Sequence, residues 1–210
     1  RFAALSGAEF PADLAARLRP DVIAMNLVLP VLDGVRATQR IMSETPTPIV
    51  INNNLTVNVT GSPNIANNTS GPGNFTQAGT GTTTLSGNNT YKGATYAQAG
   101  GLVLSDVAPG SINGNVNREL YTSAINISAG VSVVLNMGAT NFTVGNGTAI
   151  TGAGTLVKAG SGTMLLGNGG TGTTIAMTGT IEVASGALSN DYSNVNWSNN
   201  TATMQVDTGA

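Results

Sequence analysis

An internal repeat constrains the fold of this chain more than any other feature of its sequence. Phe75–Leu104 aligns with Leu156–Val183 across a two-residue gap, which places Gly79-Thr80-Gly81-Thr82 on Gly160-Ser161-Gly162-Thr163. Aligned positions lie 79–81 residues apart. That distance divides into about four coils of roughly 20 residues each, which is the shorter period of solenoid proteins.

The repeat consists of short segments of Thr, Val and Leu that alternate with period two and end at Gly, Asn or Ser. Such short strands cannot bury an apolar face alone, whereas strands stacked along an axis bury a continuous aliphatic stripe. The pattern therefore predicts a parallel β-helix. The predicted strands are Thr82–Leu85, Gly101–Leu104, Ala124–Ile127, Val131–Leu135, Phe142–Val144, Thr155–Lys158, Thr163–Leu166, Thr173–Met177 and Thr180–Val183.

A β-sandwich is the alternative fold, because it also uses short alternating strands. The Gly-Thr and Gly-Asn clusters recur here at nearly constant spacing within an internal repeat, which favours the solenoid.

Residues 1–50 differ from the rest of the chain. They hold ten charged residues and two glycines, whereas residues 51–210 hold eight charged residues and 26 of the 28 glycines. Helical spacing in Ala12–Leu18 and Val35–Met42, with buried-strand patterns in Asp21–Met25 and Pro48–Ile51, predicts a short α/β fragment. We divide the chain at residue 51 and expect both helices to cover the N-terminal end of the solenoid, shielding its open edge.

The segment Arg19–Ile51 resembles the middle of a response-regulator receiver domain, closest to that of the chemotaxis protein-glutamate methylesterase. The D-x-x-x-P-x-x-D-G core of the family falls here on Asn26, Pro30, Asp33 and Gly34. The resemblance implies a phosphorelay receiver, but Asn26 stands where the family has its acceptor aspartate. A neutral amide cannot form an acyl phosphate, so we expect these positions to be a phosphorylation-incompetent relic.

The family places a Ser or Thr after its fourth strand to contact the phosphoryl group, and that position is Asn53 here. The first strand of the family, with its acidic pair, has no counterpart, nor has the lysine of the fifth strand. Because strand one lies between strands two and three in this doubly wound order, we expect the sheet to lack its centre.

Gly79–Ser105 resembles the autotransporter-associated β-strand repeat, and Gly152–Asn168 resembles a second copy of it. The resemblance implies a passenger domain exported across the outer membrane of Gram-negative bacteria. The predicted fold class is thus mainly β, a right-handed parallel β-helix (solenoid) preceded by a short α/β receiver-like fragment that acts as an N-terminal cap. Residues 1–210 contain neither a signal segment nor a C-terminal barrel, so we expect the chain to be a fragment, a processed product or a chimera.

Several function classes are disfavoured by composition. The chain has no Cys and no His, a net charge of −2 without a basic run, and no apolar stretch of about 18–20 residues. We therefore expect no nucleic-acid partner, no membrane-spanning segment, no cofactor and no Ser–His or Cys–His chemistry. Calcium is not expected either, because turns such as Gly167–Gly170 lack an aspartate.

A polysaccharide lyase or hydrolase would need paired carboxylates. The acids of residues 51–210 form no D-x-D or D-D cluster, so we expect no catalytic residues; Glu119 and Glu182 are the positions at which an enzymatic role would be tested. The acids are Asp106, Glu119, Glu182, Asp191 and Asp207.

The aromatic residues could form a sugar-binding platform, although covering corners or capping the C-terminal end is the favoured role. They are Tyr91, Tyr96, Tyr121, Tyr192 and Trp197. Asparagines at equivalent turns are expected to stack as hydrogen-bonded ladders. The sequence thus predicts a non-catalytic, cell-surface structural or adhesion passenger that contacts host-surface ligands, glycans or itself. The alternative is a cytoplasmic response-regulator signalling fragment.

Overall fold

The computed structural model describes residues 2–5, 22–25, 48–105, 118–120, 122–144, 147–167, 172–190 and 195–210, with backbone alone for 2–5, 22–25, 118 and 119. These residues form strands and turns, and every strand pair among them is parallel. The strands are β1 (Phe2–Leu5), β2 (Val22–Met25), β3 (Ile49–Val50), β4 (Asn54–Val57), β5 (Asn64–Ile65), β6 (Thr69–Ser70), β7 (Asn74–Gln77), β8 (Thr82–Leu85), β9 (Thr95–Ala97), β10 (Gly101–Ser105), β11 (Arg118–Leu120), β12 (Ala124–Ile127), β13 (Ser132–Asn136), β14 (Phe142–Val144), β15 (Ala149–Gly152), β16 (Thr155–Ala159), β17 (Thr163–Leu166), β18 (Thr174–Met177), β19 (Thr180–Val183), β20 (Ala187–Ser189) and β21 (Thr203–Val206).

The strands wind into a solenoid with three faces. The first face is the sheet β4-β7-β9-β12-β15-β18, and the second is the sheet β5-β8-β10-β13-β16-β19-β21. The third face consists of two sheets, β1-β2-β3-β6 and β11-β14-β17-β20. Each complete coil visits the third, the first and then the second face, and the described strands make about six turns.

The prediction of a parallel β-solenoid is confirmed, and the β-sandwich alternative is wrong. All the strands predicted from the period-two pattern are present, with ends shifted by at most one residue. A sandwich would need antiparallel neighbours, whereas the register here joins strands of successive coils, as where Leu102 lies opposite Val133. The short chain segments between faces leave each strand no partner except the coil above or below.

The core consists of inward-facing side chains stacked in columns. On the second face, one column runs through Leu102, Val133, Leu156 and Ile181, all of them buried. Burying a side chain of this size stabilises the folded state by about 1.5–3 kcal/mol. The columns therefore supply the stability that no single four-residue strand could provide.

Coil length is less regular than the sequence suggested. Leu55 lies opposite Phe75, which matches the predicted period. Gly101 lies opposite Ser132, and Ser132 lies opposite Thr155, so both of these coils are longer than the period allows. The prediction of a uniform coil length is therefore wrong for the coils after Gly101.

The unequal coils change the meaning of the internal repeat. Its two Gly-Thr turns precede β8 on the second face and β17 on the third, so the aligned halves begin on different faces. From β8, three complete coils lead to β16 on the second face, and β17 lies one face further on, so the separation of the two copies is not a whole number of coils. The repeat is thus one of local turn and strand structure, not of position around the solenoid.

The N-terminal strands extend the third face beyond the first coil. Ile23 lies opposite Ile49, and Ile49 lies opposite Thr69, so β3 pairs with the receiver-like strand β2 on one side and with the solenoid on the other. The strands expected in Asp21–Met25 and Pro48–Ile51 are present. The boundary at residue 51 is therefore not a break in the sheet.

Strand β1 pairs directly with β2, with Phe2 opposite Val22. The sequence pattern did not predict β1, which gives β2 a partner on both edges of the sheet. The helices predicted in Ala12–Leu18 and Val35–Met42 lie outside the described residues.

Glycines allow the backbone to turn sharply between faces. Gly100 links β9 to β10 with φ +63°, and Gly130 links β12 to β13 with φ +76°. A Cβ atom at Gly100 would lie 2.1 Å from the carbonyl oxygen of Gly81 in the preceding coil, whereas one at Gly130 would meet nothing within 4 Å. Gly100 is therefore needed for two reasons, its positive φ and the lack of space for a Cβ atom beside the preceding coil, whereas only the first reason applies to Gly130.

We expect Gly100→Ala to lower the free energy of unfolding more than Gly130→Ala, its matched control at the same corner. Gly130→Ala carries only the left-handed backbone penalty, about 1–2 kcal/mol, while Gly100→Ala also forces neighbouring coils apart. Urea unfolding followed by circular dichroism measures both losses. Equal losses would contradict the close packing of corner backbones.

Candidate functional site

The predicted receiver positions Asn26, Pro30, Asp33 and Gly34 lie outside the described residues. Asn53, which stands where the receiver family has a phosphoryl-contacting Ser or Thr, is described. It is an exposed corner residue of the first coil. Its carbonyl oxygen accepts a hydrogen bond from the Asn74 backbone N–H at 2.7 Å. Asn53 therefore belongs structurally to the solenoid.

The described carboxylates lie at the surface of the second face and just beyond it. Glu182 is half-buried on the outer side of β19, opposite Val157 and Gln205 of the neighbouring strands. Asp207 accepts a hydrogen bond from the Gln205 side chain at 3.2 Å. In the part of the chain that the structure describes, no three His, Cys, Asp or Glu residues gather into a group that could hold a metal ion.

The aromatic residues do not share one surface. Tyr91 is 3% exposed, its ring centroid lies 6.3 Å from that of Phe75, and its hydroxyl lies 2.7 Å from Thr95 Oγ1. Burial raises the pKa of Tyr91 to about 12, with the Thr95 hydrogen bond acting in the opposite direction. The favoured corner-filling role is confirmed for Tyr91.

Tyr96 projects outward from the first face, with 37% of its surface exposed. Trp197 is half-buried and packs against the hydrophobic core. Tyr121 and Tyr192 lie outside the described residues. A sugar-binding platform that includes the buried ring of Tyr91 is therefore wrong.

Small polar side chains line the outside of the solenoid. On the second face, one outward column contains Thr82, Gly101, Ser132, Thr155, Thr180 and Thr203. Along the axis, successive members of such a column are about 4.8 Å apart. Among the described residues, no helix is long and apolar enough to cross a membrane.

Side-chain ladders join equivalent corners, as the sequence predicted for asparagine. Asn74 Nδ2 donates to Asn54 Oδ1 at 2.9 Å, and Asn74 Oδ1 accepts from the Ala94 backbone N–H at 2.8 Å. Threonines form a second, buried ladder, in which the Thr148 hydroxyl donates to the Thr122 carbonyl at 3.0 Å. These bonds satisfy polar groups that the tight corners would otherwise leave unpaired.

Two buried polar side chains hold the corners that carry the repeated Gly-Thr turn. Gln77 is fully buried, and its Nε2 donates to the carbonyl oxygens of Gly79 at 2.8 Å and Gly81 at 3.0 Å. Its Oε1 accepts from the Thr83 hydroxyl at 2.6 Å. One inward side chain thus pairs the carbonyl groups that the turn points into the core.

Lys158 occupies the aligned position of the second copy, since Gln77-Ala78-Gly79 and Lys158-Ala159-Gly160 match in the repeat. It is 1% exposed. Its ammonium group donates to the carbonyl oxygens of Ala159 at 3.0 Å, Gly160 at 2.6 Å and Ser185 at 2.9 Å. Because Ser185 belongs to the following coil, Lys158 also links two coils.

The charge of Lys158 is unusual for an interior position. All three donors of the ammonium group bind carbonyl oxygens, and in the described part of the chain no carboxylate is hydrogen-bonded to it. Burial lowers the pKa of Lys158 from its ordinary value. Sequence analysis missed both Gln77 and Lys158, although a polar residue at the same inward position of both repeat copies was the available signal.

Comparisons with known proteins find similarity between the N-terminal region and a chemotaxis enzyme. The chain is 63% identical over 38 residues to a protein-glutamate methylesterase/protein-glutamine glutaminase of Cupriavidus pinatubonensis, and 54% identical over 48 residues to one of Pseudomonas fluorescens. These matches cover 18% and 23% of this chain, and 11% and 14% of those relatives. No family profile and no solved structure matches the chain.

We expect Lys158→Gln to be tolerated, because the aligned Gln77 performs the same role as a neutral amide. Lys158→Ala leaves inward carbonyl groups without donors and opens a cavity, so we expect it to lower the free energy of unfolding by about 2–5 kcal/mol. Chemical denaturation at neutral pH measures both changes. Equal losses from the two variants would contradict a hydrogen-bonding role for this position.

The stability of the unchanged chain should depend on pH in a way that the stability of Lys158→Gln does not. A lysine whose pKa is lower in the folded state binds fewer protons there than in the unfolded chain, so stability rises with pH between the lowered value and about 10.4. The unfolding free energy of the unchanged chain should therefore rise across this window relative to that of Lys158→Gln. A difference that falls with pH would show that the folded state favours the charged amine.

Proposed function

We propose that the solenoid is a non-catalytic structural or adhesive passenger segment of a bacterial autotransporter, displayed at the cell surface or released from it. The resemblance of Gly79–Ser105 and Gly152–Asn168 to the autotransporter-associated repeat supports this assignment. The observation that carries the proposal is the stacking of parallel strands, coil on coil, around an aliphatic interior from residue 49 to residue 206.

Stacking of this kind makes a rod whose length depends on the number of coils. The seven strands of the second face are separated by six steps of about 4.8 Å, which gives a length of roughly 30 Å. Further coils would lengthen such a rod without a new core, because each coil contacts only its neighbours. A spacer or stalk is a function that this architecture performs without chemistry.

The outer faces suit contact with a weakly charged partner. Threonine, serine and asparagine side chains offer donors and acceptors at regular spacing, and the exposed ring of Tyr96 adds one apolar surface. Host-surface ligands, glycans or another copy of the chain are therefore the partners that we propose. No catalytic residue, metal or cofactor is part of the proposal.

Antibodies raised against the purified chain should stain intact cells of the native bacterium, and brief protease treatment of those cells should remove the signal. Display outside the cell makes the solenoid accessible to both reagents. A cytoplasmic protein stained in parallel controls for cell lysis. Staining that requires permeabilised cells would contradict surface display and favour a cytoplasmic protein.

A response-regulator signalling fragment is the second candidate, favoured by the similarity of the N-terminal region to the methylesterases. In this role residues 1–50 would act in the cytoplasm by binding a signalling partner without being phosphorylated. The neutral side chain of Asn26 supports that restriction, because an amide cannot accept a phosphoryl group as an acyl phosphate.

Incubation with radiolabelled acetyl phosphate should leave the unchanged chain unlabelled, with an intact receiver domain as the positive control. An Asn26→Asp variant tests whether the surrounding loop still supports phosphorylation once a carboxylate is restored. Gel electrophoresis at acidic pH, followed by autoradiography, measures the incorporation of label into the protein. Label on the unchanged chain would contradict the relic interpretation of Asn26.

A further inference from the structure

Tyr96 differs from the other large apolar side chains of the first face because it is exposed. It has 37% of its surface exposed, whereas its neighbours in β9, Thr95 and Ala97, are fully buried. Among the described residues from β4 to β19, no other large apolar side chain is exposed. The ring therefore lies open to solvent in the middle of the solenoid and takes no part in the core.

The positions next to Tyr96 along the solenoid axis carry small or polar side chains. The outward column that contains it runs through Thr56, Thr76, Tyr96, Asn126, Thr151 and Ala176. Tyr96 lies directly opposite Thr76 of the coil before it and Asn126 of the coil after it, about 4.8 Å away on either side. One aromatic ring is thus flanked along the axis by a hydroxyl group and an amide.

Two exposed amides lie beside the ring. Gln98 is exposed two residues further along the chain, at the corner after β9. Asn126 is exposed in the next coil, where its Nδ2 donates to Thr151 Oγ1 at 3.0 Å. That bond uses one of the two N–H donors of the Asn126 amide, so the other N–H and the carbonyl oxygen face solvent as groups for a further partner.

The strands of the first face carry no charge. The six of them, β4, β7, β9, β12, β15 and β18, contain no Asp, Glu, Lys or Arg. Lys92, the charged residue nearest to Tyr96 in the sequence, belongs to the corner before β9. A phosphate, sulfate or carboxylate ligand loses its water at a cost that charged donors must offset. An uncharged partner therefore matches this face.

We propose that Tyr96 is the centre of a binding site for a neutral oligosaccharide, with one pyranose ring stacked on the tyrosine ring. A pyranose has a face of C–H groups and a rim of hydroxyl groups, so it needs an apolar plane with donors and acceptors around it. Tyr96 supplies the plane, and Thr76, Gln98 and Asn126 supply the polar groups. This inference rests on the proposed adhesive role and names the class of partner for it.

A sugar chain fits this surface better than a second flat sheet does. Tyrosine is larger than the threonine, asparagine and alanine side chains of the same column, so a sheet laid on the first face would be held away from its neighbours. A linear glycan is narrow enough to avoid this. Lying along the solenoid axis, it covers Tyr96 with one sugar and reaches Thr76 and Asn126 with the adjoining units.

NMR titration of the isotopically labelled chain with cellopentaose, mannopentaose and N-acetylchitopentaose tests the site. At least one of these neutral glycans should give saturable shifts of the Tyr96 ring and of the Gln98 and Asn126 side-chain amides. The dissociation constant should be on the order of 1 mM, because a shallow site covers little of the sugar. Pentagalacturonate is the anionic control and should bind more weakly.

Three results of the titration would overturn the proposal. They are no saturable shift with any of the neutral glycans, shifts confined to another face of the solenoid, and tighter binding of pentagalacturonate.

Substitutions at Tyr96 test the stacking. Tyr96→Ala should weaken the binding at least about tenfold, whereas Tyr96→Phe keeps the ring and should bind within about twofold of the unchanged chain. Thr82→Ala, at an exposed position of the second face, is the matched control and should bind unchanged. Circular dichroism confirms that each variant folds. Equal binding by Tyr96→Ala and the unchanged chain would contradict a site centred on this ring.

The binding data and the antibody staining of intact cells separate this site from the passenger role. Staining of intact cells without glycan binding would refute the site and leave a structural passenger. Glycan binding with staining of permeabilised cells alone would refute surface display.

Discussion

Backbone hydrogen bonding between successive coils is the interaction on which the rest of this structure depends. Strands of two to five residues are too short to be stable alone, yet each one pairs with a neighbouring coil, and strands inside a sheet pair with the coil before and the coil after. This pairing fixes the inward side chains at strand spacing, so that leucine, isoleucine and valine stack into columns. The aliphatic core is a consequence of the hydrogen-bond ladder, and together they leave the outer faces free for short polar side chains.

The same backbone hydrogen-bond ladder leaves carbonyl groups at the corners that need other partners. Where the chain turns between faces, carbonyl groups point into a core that excludes water, and unpaired buried carbonyls destabilise the fold. The solenoid resolves this with inward polar side chains, a neutral amide at Gln77 and an ammonium group at Lys158. These two residues hold the same turn at two different corners, so the turn is a local unit that does not depend on one position around the solenoid.

The ladder also explains how two unlike sequences share one sheet. A receiver-type fragment contributes parallel strands, and a parallel solenoid needs a parallel neighbour for its first coil. Strand β3 meets both requirements, because it pairs with β2 on one edge and with β6 on the other. The strands run parallel on both sides of β3, so the hydrogen bonding between strands continues across residue 51 although the amino-acid composition changes there.

The sequence alone determined which segments are strands, which side of each strand is apolar, and that the strands stack in parallel, because period-two alternation and glycine corners are local properties. It did not reveal that Lys158 lies inside the core or that β1 pairs with β2, and the receiver positions from Asn26 to Gly34 remain predictions. Only the tertiary structure decided the length of each coil and the face on which each strand lies. The length of chain that a corner absorbs depends on how it packs against the corner of the preceding coil, and that contact joins residues that are a full coil apart in the sequence.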